Sequence, residues 1–570
     1  MTRTVYRRTT SGCALAIIVC VVAWAAPAAF ASDSVYWTSY TNPGGLRVGD
    51  LAGAGARDLV TGEGSPDGVA IDLGAGKIYW ADTTSGTIRV ANLDGTGARD
   101  LYTGESQPSG VAVDPSAGLI YWADAVTRTG TIRVGKLDGS GARTLFSGES
   151  YPVGVTIDPA NGKIYWGSYD TFKIRVGNLD GTGAKDLFSG ENYPTQLAVD
   201  PAAGKLYWTN EFNGNVRVGN LDGTGATTLY GGEGDVGGVA IDPSAGKIYW
   251  TNWNLGTIRV GSLSGSAPAQ SLYTGQTDPW FVALLRAPLG TGAPQVSGTA
   301  LVGQTLTCGG ETWAADLLGG FLYRAPQSTT YQWTLGGVPV SGATTSSLLV
   351  TAPGEYRCEA IAANAAGSTA QTSGPTTVKV PAPLLGRKVN AAPVSGKVFV
   401  LINGRLVPLT TATQIRSGAV VDALQGMVAI TTATGTGKKT QTGKFGGAVF
   451  RVTQARAGAS KGLTTLTLVN HAFKGAPSYA ACKKHKAGDA SAAALSSKTL
   501  QLLHASAHGK FRTSGRYSAA TVRGTKWTIA DRCDGTLTHV ITDSVAVTDF
   551  VRHRTIILHA GQSYLAKATR

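Results

Sequence analysis

Six Tyr-Trp pairs recur through the first half of the chain at an almost constant spacing. Successive tryptophans lie 43, 42, 44, 42 and 42 residues apart. A fixed period in this range is typical of a β-propeller, in which each repeat forms one four-stranded blade. The spacing therefore predicts six blades. We expect the repeated tryptophans to be structural and to pack between blades, and they are Trp37, Trp80, Trp122, Trp166, Trp208 and Trp250.

Each repeat contains four short β-rich runs separated by turn residues. In one repeat these runs are Gly68–Asp72, Lys77–Ala81, Thr87–Ala91 and Ala98–Tyr102. Short strands bounded by Gly, Asn and Asp are typical of antiparallel sheets. A single small sheet cannot bury its own apolar positions, so the repeats must stack on one another.

The two ends of the repeat array are incomplete in complementary ways. The first repeat, over residues 35–60, has a Tyr-Trp pair but no strand before it, whereas Pro279–Leu285 has no Tyr-Trp pair after it. Closure of the ring would remove exposed sheet edges. We therefore expect residues 280–285 to form the innermost strand of the blade that residues 35–60 begin.

The repeat resembles a known family. Segments such as Gly238–Thr251 and Val218–Ala226 are similar to the YWTD repeats, or class B repeats, of low-density-lipoprotein-receptor-type propellers. The resemblance covers about residues 35–286 and implies a six-bladed propeller that binds an extracellular ligand. The last Asp of the motif remains only at Asp82 and Asp124. The cysteine-rich modules of the animal receptors do not flank the repeats, so the resemblance does not extend to an endocytic role.

Residues that differ between repeats concentrate in the loops between strands 2 and 3 and between blades. Aromatic rings beside carboxylates suit a sugar, a peptide or a cationic partner. The alternative is that the glutamates only solvate the rim and that the aromatic rings pack on the loops. The predicted ligand-binding residues are Tyr40, Tyr151, Tyr169, Phe172, Tyr193, Phe212, Trp253, Glu149 and Glu191.

Catalysis receives less support from the sequence. Residues 32–290 contain no His and no Cys, so a lyase that uses a His base would lack its key residue. The repeated Arg and Asp positions favour a scaffold over one unique cluster. We predict no catalytic residue, no metal and no cofactor, and we keep an extracellular propeller hydrolase or lyase as the alternative.

The first 31 residues are typical of a secretory signal peptide. Arg3, Arg7 and Arg8 precede the apolar run Ala14–Ala26, and Ala29–Ala31 is an A-x-A cleavage site. An uncleaved membrane anchor is the alternative, although the run is shorter than the roughly 20 residues that a span needs. Four cysteines follow the signal, and an even number in a secreted protein predicts two disulfides.

Residues 288–381 carry the pattern of an immunoglobulin-like sandwich. Cys308, Trp333 and Cys358 occur in order, and Tyr356 stands two residues before the second cysteine, as in a tyrosine corner. The segment Ala362–Gly367 resembles secreted bacterial Ig-like domains. This resemblance implies a Cys308–Cys358 disulfide and a spacer or adhesive role. Residues 382–389 are the predicted linker to the next domain.

Residues 390–570 alternate β runs with glycines and resemble the FecR-type β domain in Val394–Val398, Ala520–Thr525 and Asp543–Val547. We expect a β-rich domain with one short helix near Ala490–Ala505, and a second disulfide between Cys482 and Cys533. His504 and His508 lie four residues apart, and we interpret them as part of a solvated helix, not as metal ligands.

The basic charge of the chain lies almost entirely in this last domain. Residues 32–290 hold 18 Lys/Arg and 26 Asp/Glu, whereas residues 382–570 hold 26 and 6, for a net charge of +20. Such a domain suits an anionic cell-envelope polymer. Secretion makes nucleic acid a less fitting partner, and the alternative is a basic surface without a partner. We therefore predict a secreted, cell-wall-associated binding protein.

Overall fold

The computed structural model of the chain describes residues 32–435, 437, 439–482 and 495–568. These residues form two compact units. The first unit contains residues 32–292, 312–329 and 361–370, and the second contains residues 293–311, 330–360 and 371–568. The sequence predicts a domain boundary at residues 287/288. Two segments that follow this boundary, residues 312–329 and 361–370, pack with the propeller in the first unit.

Six antiparallel sheets follow one another along the first unit, and each has four strands from the repeats. Blade 1 contains Pro279–Leu285, Ser34–Ser39, Gly44–Asp50 and Arg57–Glu63. Blades 2 and 3 contain Pro66–Asp72, Lys77–Asp82, Thr87–Asn92 and Arg99–Thr103, then Pro108–Asp114, Leu119–Asp124, Gly130–Lys136 and Arg143–Glu149. Blades 4 and 5 contain Pro152–Asp158, Lys163–Ser168, Lys173–Asn178 and Lys185–Ser189, then Pro194–Asp200, Lys205–Asn210, Asn215–Asn220 and Thr227–Tyr230. Blade 6 contains Val236–Asp242, Lys247–Asn252, Thr257–Ser262 and Gln270–Tyr273.

The blades form a closed ring. The first strand of each blade contacts the first strand of the next blade. The first strand of blade 6 likewise contacts the first strand of blade 1, which closes the ring. Pro279–Leu285 pairs antiparallel with Ser34–Ser39, with Leu284 opposite Val35, as the two partial repeats predict. The structure thus confirms a mainly β chain that contains a six-bladed propeller.

Side chains at the strand 1–2 turns show why five aspartates recur with the repeat. Asp72 accepts a hydrogen bond from the backbone N–H of Ala75, and Asp158 accepts one from the N–H of Asn161. Short polar side chains satisfy turn backbone groups in this way. These aspartates therefore belong to the scaffold.

A segment from outside the repeats enters the channel where the first strands end. Residues 316–327, here called the plug segment, include the 3-10 turn Leu318–Gly320 and the strand Leu322–Tyr323. This strand pairs parallel with Pro279–Leu285 and so extends blade 1 inward. The backbone carbonyl of Gly319 accepts a 2.8 Å hydrogen bond from the Thr156 hydroxyl. The plug segment therefore fills this end of the channel.

Charged and apolar contacts both hold the plug segment. Arg324 is buried and donates to Asp242 Oδ1 at 2.7 Å, while Arg286 lies 2.8 Å from Asp242 Oδ2. Phe321 and Tyr323 are almost fully buried in the apolar core of blades 1, 2 and 6. A buried ion pair with two cations on one carboxylate is costly to break, because the remaining charge stays out of water.

Two small sheets and one large sheet contain most of the described strands that follow residue 292. The first small sheet contains Gln295–Gly298, Thr305–Gly309 and Ser347–Leu349. The second contains Ser328–Leu335, Val338–Pro339, Gly354–Asn364, Gly367–Thr372 and Thr376–Val378. A further short pair, Gly290–Gly292 with Thr312–Trp313, lies in the first unit. Trp333, Cys308 and Cys358 are buried in one core, and the Tyr356 hydroxyl donates to the carbonyl of Ala352 at 3.0 Å.

The large sheet contains thirteen of the described strands. They are Lys388–Ile402, Arg405–Pro408, Thr413–Arg416, Val420–Ala433, Thr440–Gly446, Val449–Gln454, Thr464–Leu468, Thr499–Ser514, Ser518–Arg532, Gly535–Thr542, Ser544–Asp549, Arg554–His559 and Ser563–Lys567. Its core is built from alternating apolar side chains such as Phe445, Phe511 and Trp527.

The predicted helix near Ala490–Ala505 is wrong in its described part. Residues 499–505 belong to the strand Thr499–Ser514, which pairs with Ser518–Arg532 over most of its length. Leu503 and Ala505 are buried while His504 is exposed, which is the alternation of a strand. Residues 483–494 lie outside the described residues. His504 and His508 therefore stand on a strand.

Both predicted disulfides are present, Cys308–Cys358 and Cys482–Cys533. The predicted signal peptide, residues 1–31, lies outside the described residues. No helix in the described part of the chain has the length and apolar character needed to cross a bilayer.

Replacement of Gly319 by Ala should destabilise the first unit. A Cβ atom at this position would overlap the side chain of Val199 and the backbone carbonyl of Ile157. Overpacking of this kind costs about 1–3 kcal/mol. Chemical denaturation would measure the loss. Gly74→Ala is the control, since its Cβ would meet only Asp72 Oδ1 at 3.4 Å, and an equal effect of both changes would contradict a tightly packed plug segment.

Candidate functional site

The repeated tryptophan joins neighbouring blades. Trp166 Nε1 donates to Glu149 Oε2 at 2.9 Å, and Glu149 ends the outermost strand of the preceding blade. Arg175 lies opposite Trp166 on the adjacent strand and donates to the same carboxylate at 2.7 Å. Its guanidinium also lies 5.6 Å from the Trp166 ring, within range of a cation–π contact. The same indole-to-carboxylate bond occurs in Trp80–Glu63, Trp122–Glu105 and Trp208–Glu191.

This arrangement decides the place of two predicted ligand-binding residues. Glu149 and Glu191 are buried and accept hydrogen bonds from the indoles of Trp166 and Trp208. Buried N–H and guanidinium groups need an acceptor, and these carboxylates provide it. The structure therefore puts Glu149 and Glu191 in the joints between blades, away from the cavity described below.

Three positions in each repeat carry side chains that vary from blade to blade at the other end of the channel. The first is the second residue of the first strand: Asp67, Ser109, Val153, Thr195, Gly237 and Trp280. The second is three residues after the tryptophan: Tyr40, Thr83, Ala125, Tyr169, Glu211 and Trp253. The third immediately precedes the first strand: Ser65, Gln107, Tyr151, Tyr193, Asp235 and Asp278. We call the surface formed by these rings and their loops the loop face.

A repeated backbone bond fixes the second ring against the third. The N–H of Tyr169 donates to the carbonyl of Tyr151, and the N–H of Glu211 donates to the carbonyl of Tyr193. Equivalent bonds occur in all six blades. The scaffold thus holds six pairs of variable side chains in equivalent places.

A cavity of about 190 Å³ opens at the loop face, where the first strands begin. Its lining residues come from all three rings and from five of the six blades. The lining residues are Tyr40, Asp67, Thr83, Gln107, Ser109, Ala125, Tyr151, Val153, Tyr169, Thr195, Glu211, Trp280 and Phe281. Tyr40, Tyr151 and Tyr169 are therefore brought together as the sequence predicts, although their role in binding stays a prediction.

The remaining aromatic candidates continue from the cavity wall onto the surface. The ring of Tyr169 lies 4.7 Å from that of Tyr193, which lies 4.8 Å from Phe172 and 4.9 Å from Phe212. Phe172 is 38% exposed and Phe212 is 54% exposed. A separate ring contact joins Trp253 to Trp280 at 6.3 Å. The connected rings of Tyr151, Tyr169, Tyr193, Phe172 and Phe212 form one aromatic patch beside the cavity.

The backbone of this patch is strained. Tyr151, Tyr193 and Phe172 adopt left-handed conformations, with φ of 48°, 51° and 59°. Such conformations cost a non-glycine residue on the order of 1–3 kcal/mol and persist where the surrounding structure enforces them. These backbone conformations set the direction in which the three side chains leave the loops.

Asp67 is the most isolated charge of the cavity. It is 6% exposed, its Oδ2 accepts a 2.9 Å hydrogen bond from Ser109, and its Oδ1 has no hydrogen-bond partner among the described residues. Burial, with a smaller contribution from the nearby Glu211, raises the pKa of Asp67 to about 7, while Ser109 and Trp280 oppose the shift. At neutral pH this carboxyl therefore holds a proton in part.

Glu211 has the same character. It is buried, and its Oε2 accepts a 2.6 Å hydrogen bond from the hydroxyl of Tyr169. Burial, with a smaller contribution from Asp235, raises the pKa of Glu211 to about 7, while Tyr169 and Trp253 oppose the shift. Burial and the same hydrogen bond raise the pKa of Tyr169, so its hydroxyl remains a donor.

Sequence reasoning missed Asp67, Ser109 and Trp280. A signal for them was present, because these residues occupy one position of the repeat at which every blade differs. The predicted ligand-binding residues follow the tryptophan or precede the first strand, and none of them lies in the first strand itself. Glu211 occupies a loop position, yet its burial beside Tyr169 depends on packing.

The cavity holds two carboxylates, and no group of three or more His, Cys, Asp or Glu in the described part of the chain is arranged to hold a metal ion. A buried carboxyl with a raised pKa can serve proton transfer or cation binding. The geometry thus supplies paired acidic groups, hydroxyl donors and aromatic walls at one opening.

No protein-family model matches the chain, and no curated protein matches it. Among solved structures, a chain from the crystal structure of a nidogen/laminin complex is similar at 22% identity, with 44% of this chain and 98% of that chain covered and a TM-score of 0.40. A likeness at this level carries no inference about ligands.

Asp67→Asn should stabilise the protein at about pH 8. The raised pKa means that the folded state favours the protonated carboxyl, so wild-type stability falls as pH rises from about 4 to about 7. The amide avoids this penalty, and we expect a gain on the order of 2–4 kcal/mol. Chemical denaturation at pH 4 and at pH 8 would measure this gain in stability, which should vanish near pH 4.

The control for this prediction is Asp222→Asn. Asp222 is exposed, and hydrogen bonds from Thr224 lower its pKa, so its amide variant should show no gain at pH 8. A gain in the Asp67 variant that is the same at pH 4 and pH 8 would contradict a titration origin.

Proposed function

We propose that this protein is a secreted binding protein that recognises a ligand on the loop face of its propeller, without catalysis. One observation carries the proposal: a repeated scaffold presents three rings of non-repeated side chains around one opening. Repetition serves the fold, whereas variation at equivalent positions has no structural need. A protein or peptide is the expected ligand class, and a glycan is the alternative that the aromatic patch also suits.

The composition of the three rings supports a recognition surface. Six of the eighteen residues are aromatic and four are acidic, whereas none is Lys, Arg or His. Exposed aromatic groups on rigid elements contribute most of the energy in many interfaces. Phe172 and Phe212 are the exposed members of the patch and therefore the expected contact residues.

We further propose roles for the remaining chain. The two small sheets, with their buried Trp333, the Cys308–Cys358 bond and the Tyr356 hydrogen bond, support an Ig-like spacer. The thirteen-stranded part fits a FecR-like β domain. The charge of the C-terminal domain supports attachment to an anionic polymer of the cell envelope and thus a secreted, cell-wall-associated location.

The surface of this C-terminal domain is suited to such attachment. Lys397, Arg405 and Lys444 are exposed on strands of the large sheet. Among the described residues after 382, one salt bridge forms, between Arg532 and Asp534. Most basic side chains in the described part of this domain therefore form no ion pair, which supports attachment to an anionic partner.

A propeller hydrolase is the second candidate function. The observation that favours it is the pair of buried carboxyls, Asp67 and Glu211, whose pKa values of about 7 suit general acid–base chemistry. The aromatic patch and the absence of His from residues 32–290 favour binding instead. Turnover of ester or glycoside substrates that is lost in Asp67→Asn would support the enzyme.

Replacement of Phe172 and Phe212 by Ala should weaken ligand binding. The ligand would be selected from peptide and glycan arrays with residues 32–570, because the plug segment packs with the propeller. Loss of two contact aromatics should reduce affinity by roughly 10- to 100-fold, measured by calorimetry. Val338→Ala, at an exposed apolar residue of the second unit, is the control. Unchanged affinity in the double variant would reject this face.

Retention on anionic cell-wall material should fall as salt rises. Screening shortens the range of exposed charges from about 10 Å at 0.1 M to about 3 Å at 1 M ionic strength. A sedimentation assay with purified cell walls across this range would measure the bound fraction, with a neutral polysaccharide as the control. Retention that does not depend on salt would argue against electrostatic attachment.

A further inference from the structure

The cavity at the loop face contains negative charge without a compensating cation. Asp67 and Glu211 are both more than nine-tenths buried, and Asp67 Oδ1 has no hydrogen-bond partner among the described residues. None of the residues that line the cavity is Lys, Arg or His. The buried glutamates of the joints between blades, such as Glu149, are paired with arginine, and the buried Asp82 accepts hydrogen bonds from backbone N–H groups at both oxygens. The cavity pair therefore differs from every joint between blades in lacking its cation.

The groups that face the two carboxyls are neutral or acidic. Asp67 faces Ser109, Trp280, Tyr40 and Glu211. Glu211 faces Tyr169, Tyr151, Trp253 and Asp235, and Asp170 acts electrostatically on Tyr151. This surrounding opposes ionisation of both carboxyls. A bound cation would reverse that effect, because it favours the charged form of each acid.

The walls of the cavity suit an organic cation. Tyr40, Tyr151, Tyr169 and Trp280 line it, and ring faces attract ammonium and guanidinium groups. A neutral sugar would leave both acids without a counter-charge. A bare divalent ion would leave the aromatic walls unused, and metals of this kind prefer six or more oxygen ligands.

The size of the cavity limits the occupant. A volume of about 190 Å³ is smaller than the roughly 300–1,000 Å³ of sites for drug-sized ligands. It is suited to one extended side chain. Lysine and arginine carry a flexible apolar stem and a tip with three or five donors, which matches aromatic walls around two acceptors.

We propose that this cavity binds the cationic tip of a lysine or arginine side chain from a partner protein, with Asp67 and Glu211 as its counter-charges. The inference rests on the proposed function and adds the chemistry of the ligand. The partner's backbone would lie across the aromatic patch, with Phe172 and Phe212 in contact, while one basic side chain enters the cavity.

Capped pentapeptides with a central Arg or Lys between glycines provide the test. Peptides with citrulline or norleucine at the centre are the matched neutral controls. Calorimetry with residues 32–570 at about pH 8 should show that at least one basic peptide binds at least about tenfold more tightly than its neutral counterpart. Acidification to about pH 5.5 should weaken the basic peptide by at least about tenfold, because protonation removes the counter-charges.

The double variant Asp67→Asn/Glu211→Gln should lose the preference for the basic peptide. Its folding can be verified by its melting temperature, which should not fall at pH 8. Asp170→Asn is the matched control, since it removes the same charge from an exposed loop residue of the same face. Equal binding of arginine and citrulline peptides, no effect of the double variant, an equal effect of Asp170→Asn, or no binding of either basic peptide would overturn the proposal.

The two proposals can fail separately. A selected protein ligand whose binding is lost in Phe172→Ala/Phe212→Ala but unchanged in Asp67→Asn/Glu211→Gln would keep loop-face recognition and overturn the cationic side chain. Binding of basic peptides that requires both acids, together with a selected protein that binds elsewhere, would keep the cation site and overturn recognition by the aromatic patch.

Discussion

The joint between blades is the interaction on which the rest of the structure depends. In four of the six blades the buried tryptophan donates to a glutamate from the preceding blade. An arginine on the neighbouring strand binds the same glutamate and lies over the indole ring, as Arg175 does at Trp166. Each group would be costly to bury alone, and each satisfies another. Because the joint links consecutive repeats, it fixes the period of the sequence as well as the stacking of the blades.

The joint where the ring closes differs from the others. Gln276 occupies the position of the glutamate and accepts a hydrogen bond from Arg47. Because the glutamine side chain is neutral, Arg47 and Gln276 form no ion pair. Here the strand Pro279–Leu285 pairs with Ser34–Ser39, and the plug segment adds Leu322–Tyr323 to the same sheet. Backbone pairing from distant parts of the chain thus supports the junction whose side-chain joint is weakest. The plug segment also closes one end of the channel, which leaves the loop face as its open end.

The repeated features of the fold could be predicted from the sequence, whereas several features that occur only once could not. The Tyr-Trp period led to the six blades, and counting the partial repeats led to the closing strand, since both follow from local pattern. The plug segment was not predicted, because its burial depends on long-range contacts such as that between Gly319 and Thr156, which are 163 residues apart. The predicted helix near Ala490–Ala505 was wrong in its described part, because the spacing of the leucines does not outweigh pairing with a neighbouring strand. In the site, Tyr40, Tyr151 and Tyr169 were found from loop variation, whereas Asp67 lay within a strand.

The scaffold explains why an unfavourable pair of acids can persist at the channel opening. Asp67 and Glu211 oppose folding when ionised, since burial raises both pKa values and their neighbours supply no cation. Six repeated blades provide the stability that offsets this cost, and they hold the two acids at fixed places around one cavity. A ligand with a positive charge would gain binding energy from the same buried carboxylates that destabilise the fold. Destabilisation of the free site and affinity for a cation are thus two consequences of one arrangement.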